Sequence, residues 1–378
     1  MSTREQMQSI LMDPPPNNLH ISRVFVLGSL LLGSGLALCL IHSWWQFYFF
    51  FGVIAAIGTG FTGWVPNVTV IQNWFKEKRG LAIGILSSGV GIGIFVCIPS
   101  IQYLINGIGW RMAYRVMAFF IPLVVIIMTI IFLKKPPRII SSIPTEQEIY
   151  YTMMRDPLIV DLKWASRSWT LRQAILTKQF WTLGVCFFFT SLIGQSIMTH
   201  HVAFFVDKGL ETLFVSYIVG MIGIVSIGGK ILWGTLSDRI GREVTFTLVM
   251  VCCICGLLLL ITFPILSSPY TPYFFAIFLG MGYAGTAVLP PLITADFFEG
   301  RAYGSIFRTI FVLYSVGGAF GVWFGGFLHD QVGNYIPFFI IVIACALFAC
   351  FTIWIAAPRK IRIVPGKKVF RFKQNPTA

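Results

Sequence analysis

The sequence has little charge, and most of that charge is of one sign. Only 11% of its 378 residues are charged and 56% are hydrophobic, whereas soluble domains carry about 25% charged residues. A water-soluble fold of this length has too little interior to cover so much apolar surface. The composition therefore excludes a soluble protein and predicts an integral membrane protein.

The sequence also lacks the patterns of metal centres, nucleotide sites and catalytic sets. Its eight cysteines all lie in apolar runs, without metal-ligand spacing to His or Asp, and we interpret them as packing residues. The glycine-rich runs 84–93 and 317–326 lack the Lys-Ser/Thr pair of a phosphate loop, so close helix packing is their expected role. No nucleophile–base pair is present, and the first 20 residues lack the apolar stretch of a signal peptide. We expect no enzyme activity, no metal and no cofactor.

Long hydrophobic runs dominate the rest of the chain. Of the 28 basic residues, 23 fall at the termini and on loops of one side, and only Arg111, Arg115 and Lys208 fall on the other. Because Lys and Arg concentrate on the cytoplasmic side, both termini are predicted to be cytoplasmic in a multi-pass protein of a plasma or inner membrane. The net charge of +14 is therefore explained by basic residues on the cytoplasmic side that face anionic lipid, and not by a nucleic-acid partner.

A bilayer core of ~30 Å needs about 20 apolar residues per helix. The runs that meet this need lie at about 24–42, 45–70, 80–104, 112–133, 178–205, 213–236, 244–264, 271–295, 303–328 and 335–357.

One long polar connection, residues 134–177, divides the spans into a group of four and a group of six. Within it, Thr170 and Gln173 have the spacing of a capping box, which predicts a short surface helix leading into the fifth span. The predicted organisation is a cytoplasmic N-terminal segment (1–23), an incomplete N-terminal bundle (24–133), a cytoplasmic linker (134–177), a six-helix C-terminal bundle (178–357) and a basic cytoplasmic tail (358–378).

The two halves of the chain resemble each other weakly. Residues 77–80 and 299–302 each open a glycine-rich span, at an offset of 222 residues between Arg79 and Arg301. Parallel duplicated halves are a known design of transporters. Carried back from Asp238, this offset falls near Asp13, which is followed by three prolines and preceded by no span. The pattern predicts a twelve-span design that lacks its first two helices.

Residues 234–242 read Gly-Thr-Leu-Ser-Asp-Arg-Ile-Gly-Arg, a charged turn between two apolar runs. With this turn the chain resembles the major facilitator superfamily. Residues 73–84 (Asn-Trp-Phe-Lys-Glu-Lys-Arg-Gly-Leu-Ala-Ile-Gly), 229–234 and 295–304 resemble helix junctions of its monocarboxylate and oxalate–formate antiporter-like branch. The resemblance covers about residues 20–360. It implies an all-α membrane protein with the two-bundle major facilitator fold, here with about ten transmembrane helices (4 + 6) instead of twelve.

Two basic residues lie inside predicted spans, where a central charge costs roughly 2.5–3.5 kcal/mol. Lys230 lies eight residues before Asp238, about 12 Å from the inner end of its helix at ~1.5 Å per residue. The resemblance implies that Lys230 binds the substrate carboxylate; a lysine stem that reaches to the interface is the alternative. Arg308 has a planar guanidinium that suits a carboxylate, and its alternatives are a side chain that reaches to the interface or a structural contact with a carbonyl. If both cations face one cavity, they favour a dianion.

Uncharged polar residues complete the predicted substrate site. His200 and His201 lie near the end of the fifth span, where a proton relay and a plain interfacial role both remain open. Gln195 and Tyr283 are predicted to line the cavity. In the turn at 234–242, Asp238 is expected to cap a helix N-terminus and to pair with an arginine. The predicted gate residues are Gly234, Asp238, Arg239, Gly241 and Arg242.

These features together predict a secondary membrane transporter, an antiporter or a uniporter. It moves a small organic anion, a mono- or dicarboxylate, by alternating access of two bundles. The expected partners are this anion and the lipid bilayer, with no nucleic acid, and the chain is expected to act as a monomer. Two alternatives remain: a truncated or degenerate family member without transport activity, and a carrier of an unrelated small solute.

Overall fold

The computed structural model is helical, as predicted, and has no strand in the residues that it describes beyond one isolated bridge between Ile159 and Arg362. Two compact units are present, residues 1–77 with 103–140 and residues 78–102 with 141–378. The residues described are 18–38, 43–64, 66–67, 79–132, 159–266, 268–298, 300 and 302–363.

The described residues of the first unit form three short or medium helices and part of a long one. Helix α1 is Asn18–Leu38. Helix α2 (Trp44–Phe49), a π-helical stretch (Phe50–Ala55) and helix α3 (Ala56–Thr62) follow one another without a break. Helix α4, Arg79–Phe132, contributes its residues from 103 onward to this unit. Exposed Trp44 and Trp45 at the start of α2 are typical of a membrane interface.

Helix α4 contains two of the predicted spans. Its 54 residues would extend about 80 Å at 1.5 Å per residue, which is far longer than a bilayer core of ~30 Å. The helix is broken at Gly109, where φ is +78°, a value that glycine adopts without a Cβ penalty. The predicted boundaries of the two spans, 80–104 and 112–133, fall on either side of this glycine.

Between residues 159 and 363, the described part of the second unit forms a bundle of six long helices, preceded by two short ones. The six long helices agree with the six spans predicted for the C-terminal bundle. The elements are α5 (Leu162–Ala165), α6 (Leu171–Ile175), α7 (Lys178–Asp207), α8 (Thr212–Ile240), α9 (Arg242–Leu266), α10 (Thr271–Phe297), α11 (Tyr303–Val332) and α12 (Ile336–Ala356).

The short helix α6 begins with the predicted capping box. The Thr170 hydroxyl accepts from the Gln173 N–H at 3.3 Å, and the Gln173 side chain accepts from the Thr170 N–H at 3.3 Å. These two bonds satisfy backbone donors that the first turn of a helix leaves open. The prediction of a short helix leading into the next span is therefore confirmed.

Close helix crossings form the interior of the second unit. Helix α7 packs against α11 and α12, and α10 packs against α8 and α9. Glycines occupy the tightest crossings: a Cβ on Gly317 would overlap the carbonyl of Phe188, and one on Gly285 would overlap the side chain of Val249. Such small residues let helices approach closely where lipid supplies no hydrophobic driving force. This confirms the packing role expected for the run 317–326.

Eight helical stretches of the described chain are long and apolar enough to cross a membrane, and a ninth, Ser22–Leu38, is shorter. With α4 counted twice because of its break, the structure accounts for the ten predicted spans. The proposed domain boundaries and the absence of two N-terminal helices stay predictions. Several features named above lie outside the described residues: Asp13, residues 73–78 of the first junction motif, residues 134–158 of the linker, Arg301 and the tail from residue 364.

Candidate functional site

The side chain of Lys230 lies inside the second unit, where Lys230 is 1% exposed. Its ammonium donates a hydrogen bond of 2.6 Å to the backbone carbonyl oxygen of Ser87 on α4. An ammonium has three donors, and in the described part of the chain this carbonyl is the one acceptor recorded for it. A single neutral acceptor compensates only part of the cost of removing a charge from water. The ammonium is thus held in place, and the described contacts leave donors of it for a further acceptor.

A tight crossing of α4 and α8 places this lysine. A Cβ on Gly91 would lie 2.7 Å from the carbonyl oxygen of Gly223, and a Cβ on Gly223 would lie 2.7 Å from that of Gly91. Lys230 follows Gly223 by two helical turns, and Ser87 precedes Gly91 by about one turn, so both lie on the crossing faces. The crossing therefore fixes which carbonyl meets the ammonium.

Helices α8 and α10 are also in contact near Lys230. A Cβ on Gly229 would lie 2.7 Å from the Cβ of Ala284, and the indole of Trp233 donates to the carbonyl of Met281 at 2.8 Å. Tyr283, a predicted cavity residue, precedes Ala284 and is half-buried. Lys230 and Tyr283 are therefore at the same level on neighbouring helices.

A groove of about 590 Å³ runs between α7 and α11 at this level. Gln195, another predicted cavity residue, lines it together with Ser191, Tyr314 and several apolar residues. The Tyr314 hydroxyl is within hydrogen-bonding reach of Ser191 and of Thr286 on α10, and Tyr283 lies nearby. We call six residues at this level of four helices the polar layer: Lys230, Tyr283, Thr286, Ser191, Gln195 and Tyr314. The recorded hydrogen bond of Lys230 goes to α4 and not to the other five.

The polar layer has the chemistry of an anion site. It combines one ammonium on α8 with hydroxyl and amide groups on three further helices, and none of its six members is an acid. Hydroxyls, amides and ammonium groups all donate hydrogen bonds to a carboxylate. Sequence reasoning missed Tyr314 because it lies just before the glycines of a run that was interpreted only as a packing surface.

Two of the predicted site residues lie apart from this layer. Arg308 is exposed, and its Nε donates to the Gly304 carbonyl of its own helix at 3.0 Å. That contact corresponds to the carbonyl alternative considered for it, and no described contact joins it to Lys230. His201 is fully buried: its Nδ1 lies 2.7 Å from the Ile197 carbonyl oxygen, and its ring lies 5.2 Å from that of Phe275.

The gate motif forms an ion-pair network around Arg242, at the junction of α8 and α9. Arg242 donates from Nη1 to Asp238 Oδ1 and from Nε to Asp296 Oδ2, both at 2.8 Å, and Nη1 also contacts the Ser237 hydroxyl. The Arg242 side chain is 10% exposed, Asp296 13% and Asp238 55%. One buried arginine thus ties the ends of α8, α9 and α10 together.

The structure refines the predicted role of Asp238. Its pairing with an arginine is confirmed, but it lies in the last turn of α8 rather than at a helix N-terminus. Only Gly241 separates the two helices, and its φ of +106° is a conformation that residues with a Cβ rarely adopt. Gly234 is half-buried within α8, and Arg239 is exposed.

A structural element that the sequence did not predict covers the same end of α10. The N–H groups of Val160 and Asp161 donate to the Ile361 carbonyl at 2.9 and 3.3 Å, which joins the linker to the segment after α12. The indole of Trp164 donates to the Phe297 carbonyl at 2.8 Å. Trp164 and Phe297 flank the Arg242 network, because Phe297 follows Asp296. The linker is therefore attached to the end of the helix that carries the buried acid.

No group of three or more His, Cys, Asp or Glu side chains that could hold a metal ion occurs in the part of the chain that the structure describes. The acids that are described pair instead with arginines or lie at helix ends, as in the Arg242 network.

Comparisons with known proteins agree with this architecture. Residues 20–321 match the family model described as the Major Facilitator Superfamily. The chain is 24% identical over 361 residues to monocarboxylate transporter 12 of Xenopus laevis, covering 93% of this chain and 75% of that protein. It is 25% identical over 352 residues to monocarboxylate transporter 12 of Rattus norvegicus, covering 86% and 69%.

Two further similarities extend to bacteria. The chain is 25% identical over 305 residues to the uncharacterized MFS-type transporter YcxA of Bacillus subtilis, covering 79% of this chain and 68% of that protein. Its fold is similar to the crystal structure of a bacterial homolog to the human lysosomal transporter Spinster, in an inward-facing and occupied conformation. That similarity has a TM-score of 0.58 at 14% identity and covers 89% of this chain and 81% of the other.

Proposed function

Because the chain belongs to the major facilitator superfamily and to its monocarboxylate-transporter-like branch, we propose that it is a secondary transporter of a small organic anion that works by alternating access. The observation that carries the proposal is the buried ammonium of Lys230, for which one backbone carbonyl is the acceptor recorded among the described residues, at the same level as polar groups of three neighbouring helices. A buried ionisable residue in a membrane protein is costly and marks a functional site by default.

Substrate binding is proposed to replace the bond between Lys230 and Ser87. A carboxylate oxygen is a stronger acceptor for an ammonium than a neutral carbonyl, because two opposite full charges attract each other more strongly than a charge and a dipole. The hydroxyl of Tyr314 and the amide of Gln195 then bind the second carboxylate oxygen or a polar substituent. The stronger bond of Lys230 to the carboxylate than to the Ser87 carbonyl favours binding of the anion.

The polar layer favours a monocarboxylate over a dicarboxylate. Lys230 is its one cation, and Arg308 lies apart from it, exposed and bonded to its own helix. A second carboxylate in this layer would lack a positive partner, and an uncompensated charge at mid-membrane is unfavourable. We therefore infer that the anion carries one negative charge at the site.

The Arg242 network is proposed as the inner gate, with both termini in the cytoplasm. The network joins the ends of three helices, and the linker covers the same end through Trp164. The concentration of Lys and Arg at this end supports a cytoplasmic orientation. Rearrangement of these ion pairs would accompany opening of the substrate path to the cytoplasm.

The proposal is tested by uptake of radiolabelled monocarboxylates, such as lactate and pyruvate, into proteoliposomes. Lys230→Gln removes the charge but keeps a donor, and we expect uptake at limiting substrate to fall about 10- to 100-fold, as for the loss of a charge-assisted hydrogen bond of ~1.5–3 kcal/mol. Lys208→Gln is the control, because Lys208 is an exposed cation at the end of α7. We expect it to retain uptake.

Two results would contradict the proposal. Equal uptake by the Lys230→Gln variant and the wild type would remove Lys230 from the substrate site. A folded wild-type protein that moves none of a panel of monocarboxylates would favour the alternatives, a family member without transport activity or a carrier of an unrelated solute.

A further inference from the structure

A second groove lies in the first unit, between α1 and the part of α4 that follows Gly109. Its volume is about 530 Å³, and it is lined almost entirely by apolar atoms. The two helices cross tightly at its floor: a Cβ on Gly33 would lie 2.6 Å from the Ala118 carbonyl oxygen. Ser34 and Ala37 continue along α1 with small side chains, so the surface beside the crossing stays open. Phe119, 73% exposed, forms one wall.

The length of this groove corresponds to one leaflet of a bilayer. Its lining on α4 extends from Arg115 to Ile126, about 16 Å at 1.5 Å per residue. A hydrocarbon core is ~30 Å thick, so half of it is about 15 Å. The groove therefore has the length and the apolar walls to hold one extended acyl chain.

Arg115 places a positive charge at one end of the groove. Its side chain is exposed, and no hydrogen bond or ion pair is recorded for it in the described residues. Residues 18–67 and 103–132 contain no Asp or Glu, so these stretches of the first unit supply no carboxylate to neutralise it. Trp110, 44% exposed, lies about one and a half turns before it and is typical of the membrane interface.

We propose that this groove binds a phospholipid, with its phosphate on Arg115 and one acyl chain between α1 and α4. A guanidinium matches phosphate oxygens with two parallel hydrogen bonds, and interfacial arginines reach toward the headgroups. The charge lies at the end marked by the interfacial tryptophan, and the apolar channel leads from it toward the bilayer centre. A lipid of one leaflet satisfies both parts at once. This site is independent of the proposed transport site, because all its residues belong to the first unit.

The test is native mass spectrometry of the full chain in mild detergent, titrated with phosphatidylglycerol. We expect the wild type to retain one tightly bound lipid and Arg115→Gln to bind it about tenfold more weakly, with binding restored in Arg115→Lys. Arg111→Gln is the matched control: this arginine lies one turn earlier, stacks on Trp110 at 4.5 Å and does not line the groove, so its variant should bind as the wild type does.

A second variant tests the apolar part of the site. Ser34→Phe fills the groove from an exposed position, so it should weaken lipid binding while unfolding at the wild-type temperature. Unchanged binding in either Arg115→Gln or Ser34→Phe would overturn the proposal. A parallel titration with oleate separates the sources of the acyl chain. Tighter binding of oleate than of phosphatidylglycerol would assign the groove to free fatty acids and refute the phospholipid.

Discussion

Replacing Asp296 and Asp238 separately with asparagine tests the Arg242 network with two matched changes. Both acids accept from the same guanidinium at 2.8 Å, but Asp296 is 13% exposed and Asp238 is 55% exposed. Each substitution removes one charge, keeps the size of the side chain and leaves the other acid in place. The two variants therefore differ mainly in the burial of the ion pair that is lost.

Burial sets the expected size of the two effects. Removing one partner of a buried pair lowers the free energy of unfolding by about 3–5 kcal/mol, because the other charge is left uncompensated. Since Arg242 still pairs with Asp238 after Asp296→Asn, we expect a smaller loss, of about 2–3 kcal/mol. Exposed pairs are screened by water, and we expect about 0–1 kcal/mol for Asp238→Asn. A difference of about 1.4 kcal/mol corresponds to a tenfold change in the unfolding equilibrium.

The assay is equilibrium unfolding in mixed micelles, followed by tryptophan fluorescence. A double-mutant cycle with Arg242→Gln isolates each pair, and the coupling of Arg242 to Asp296 should exceed its coupling to Asp238. Equal free energies for the two single variants, or a larger effect of Asp238→Asn, would refute the argument that burial governs this network. A loss of transport without a loss of stability would instead support the gate role alone.

Two further predictions address the helix crossing and the orientation. Gly223→Ala places a Cβ against the Gly91 backbone and should lower the free energy of unfolding by about 1–3 kcal/mol in the same assay. In the control, Gly228→Ala, the added Cβ meets nothing within 4 Å, so this variant should be as stable as the wild type or more stable. Equal effects of the two would contradict the close crossing. Epitope tags at both termini should be protected from protease in sealed right-side-out cells or vesicles and cleaved after permeabilisation; cleavage before permeabilisation would reverse the orientation.

Local signals in the sequence predicted the membrane architecture. Apolar runs of about 20 residues identify spans because the bilayer, and not a partner helix, is their solvent. The capping box at Thr170 and the pairing of Asp238 with an arginine were predictable for another local reason: the two partners in each case lie within four residues of each other in the sequence. The family was predictable from short junction motifs, and the match of residues 20–321 confirms it.

The partners of Lys230 on α4 and of Arg242 on α10 were not predictable, since they come from distant parts of the chain. Lys230 meets a carbonyl 143 positions away, and Arg242 meets Asp296 54 positions away. No periodicity or spacing encodes these distances, because each depends on which helices cross and at which turn. Arg308 has the same charge as Lys230 and a similar predicted depth, but its environment differs. Its side chain is exposed and donates to a carbonyl of its own helix.

The sequence by itself determined that this chain crosses a bilayer many times and that one of its few mid-span charges is a lysine, because hydropathy is a property of each segment alone. Only the tertiary structure decided which groups surround that lysine and that its carbonyl partner comes from another helix. The physical reason is that a mid-membrane charge must be compensated by whatever lies against it, and close glycine crossings determine what that is.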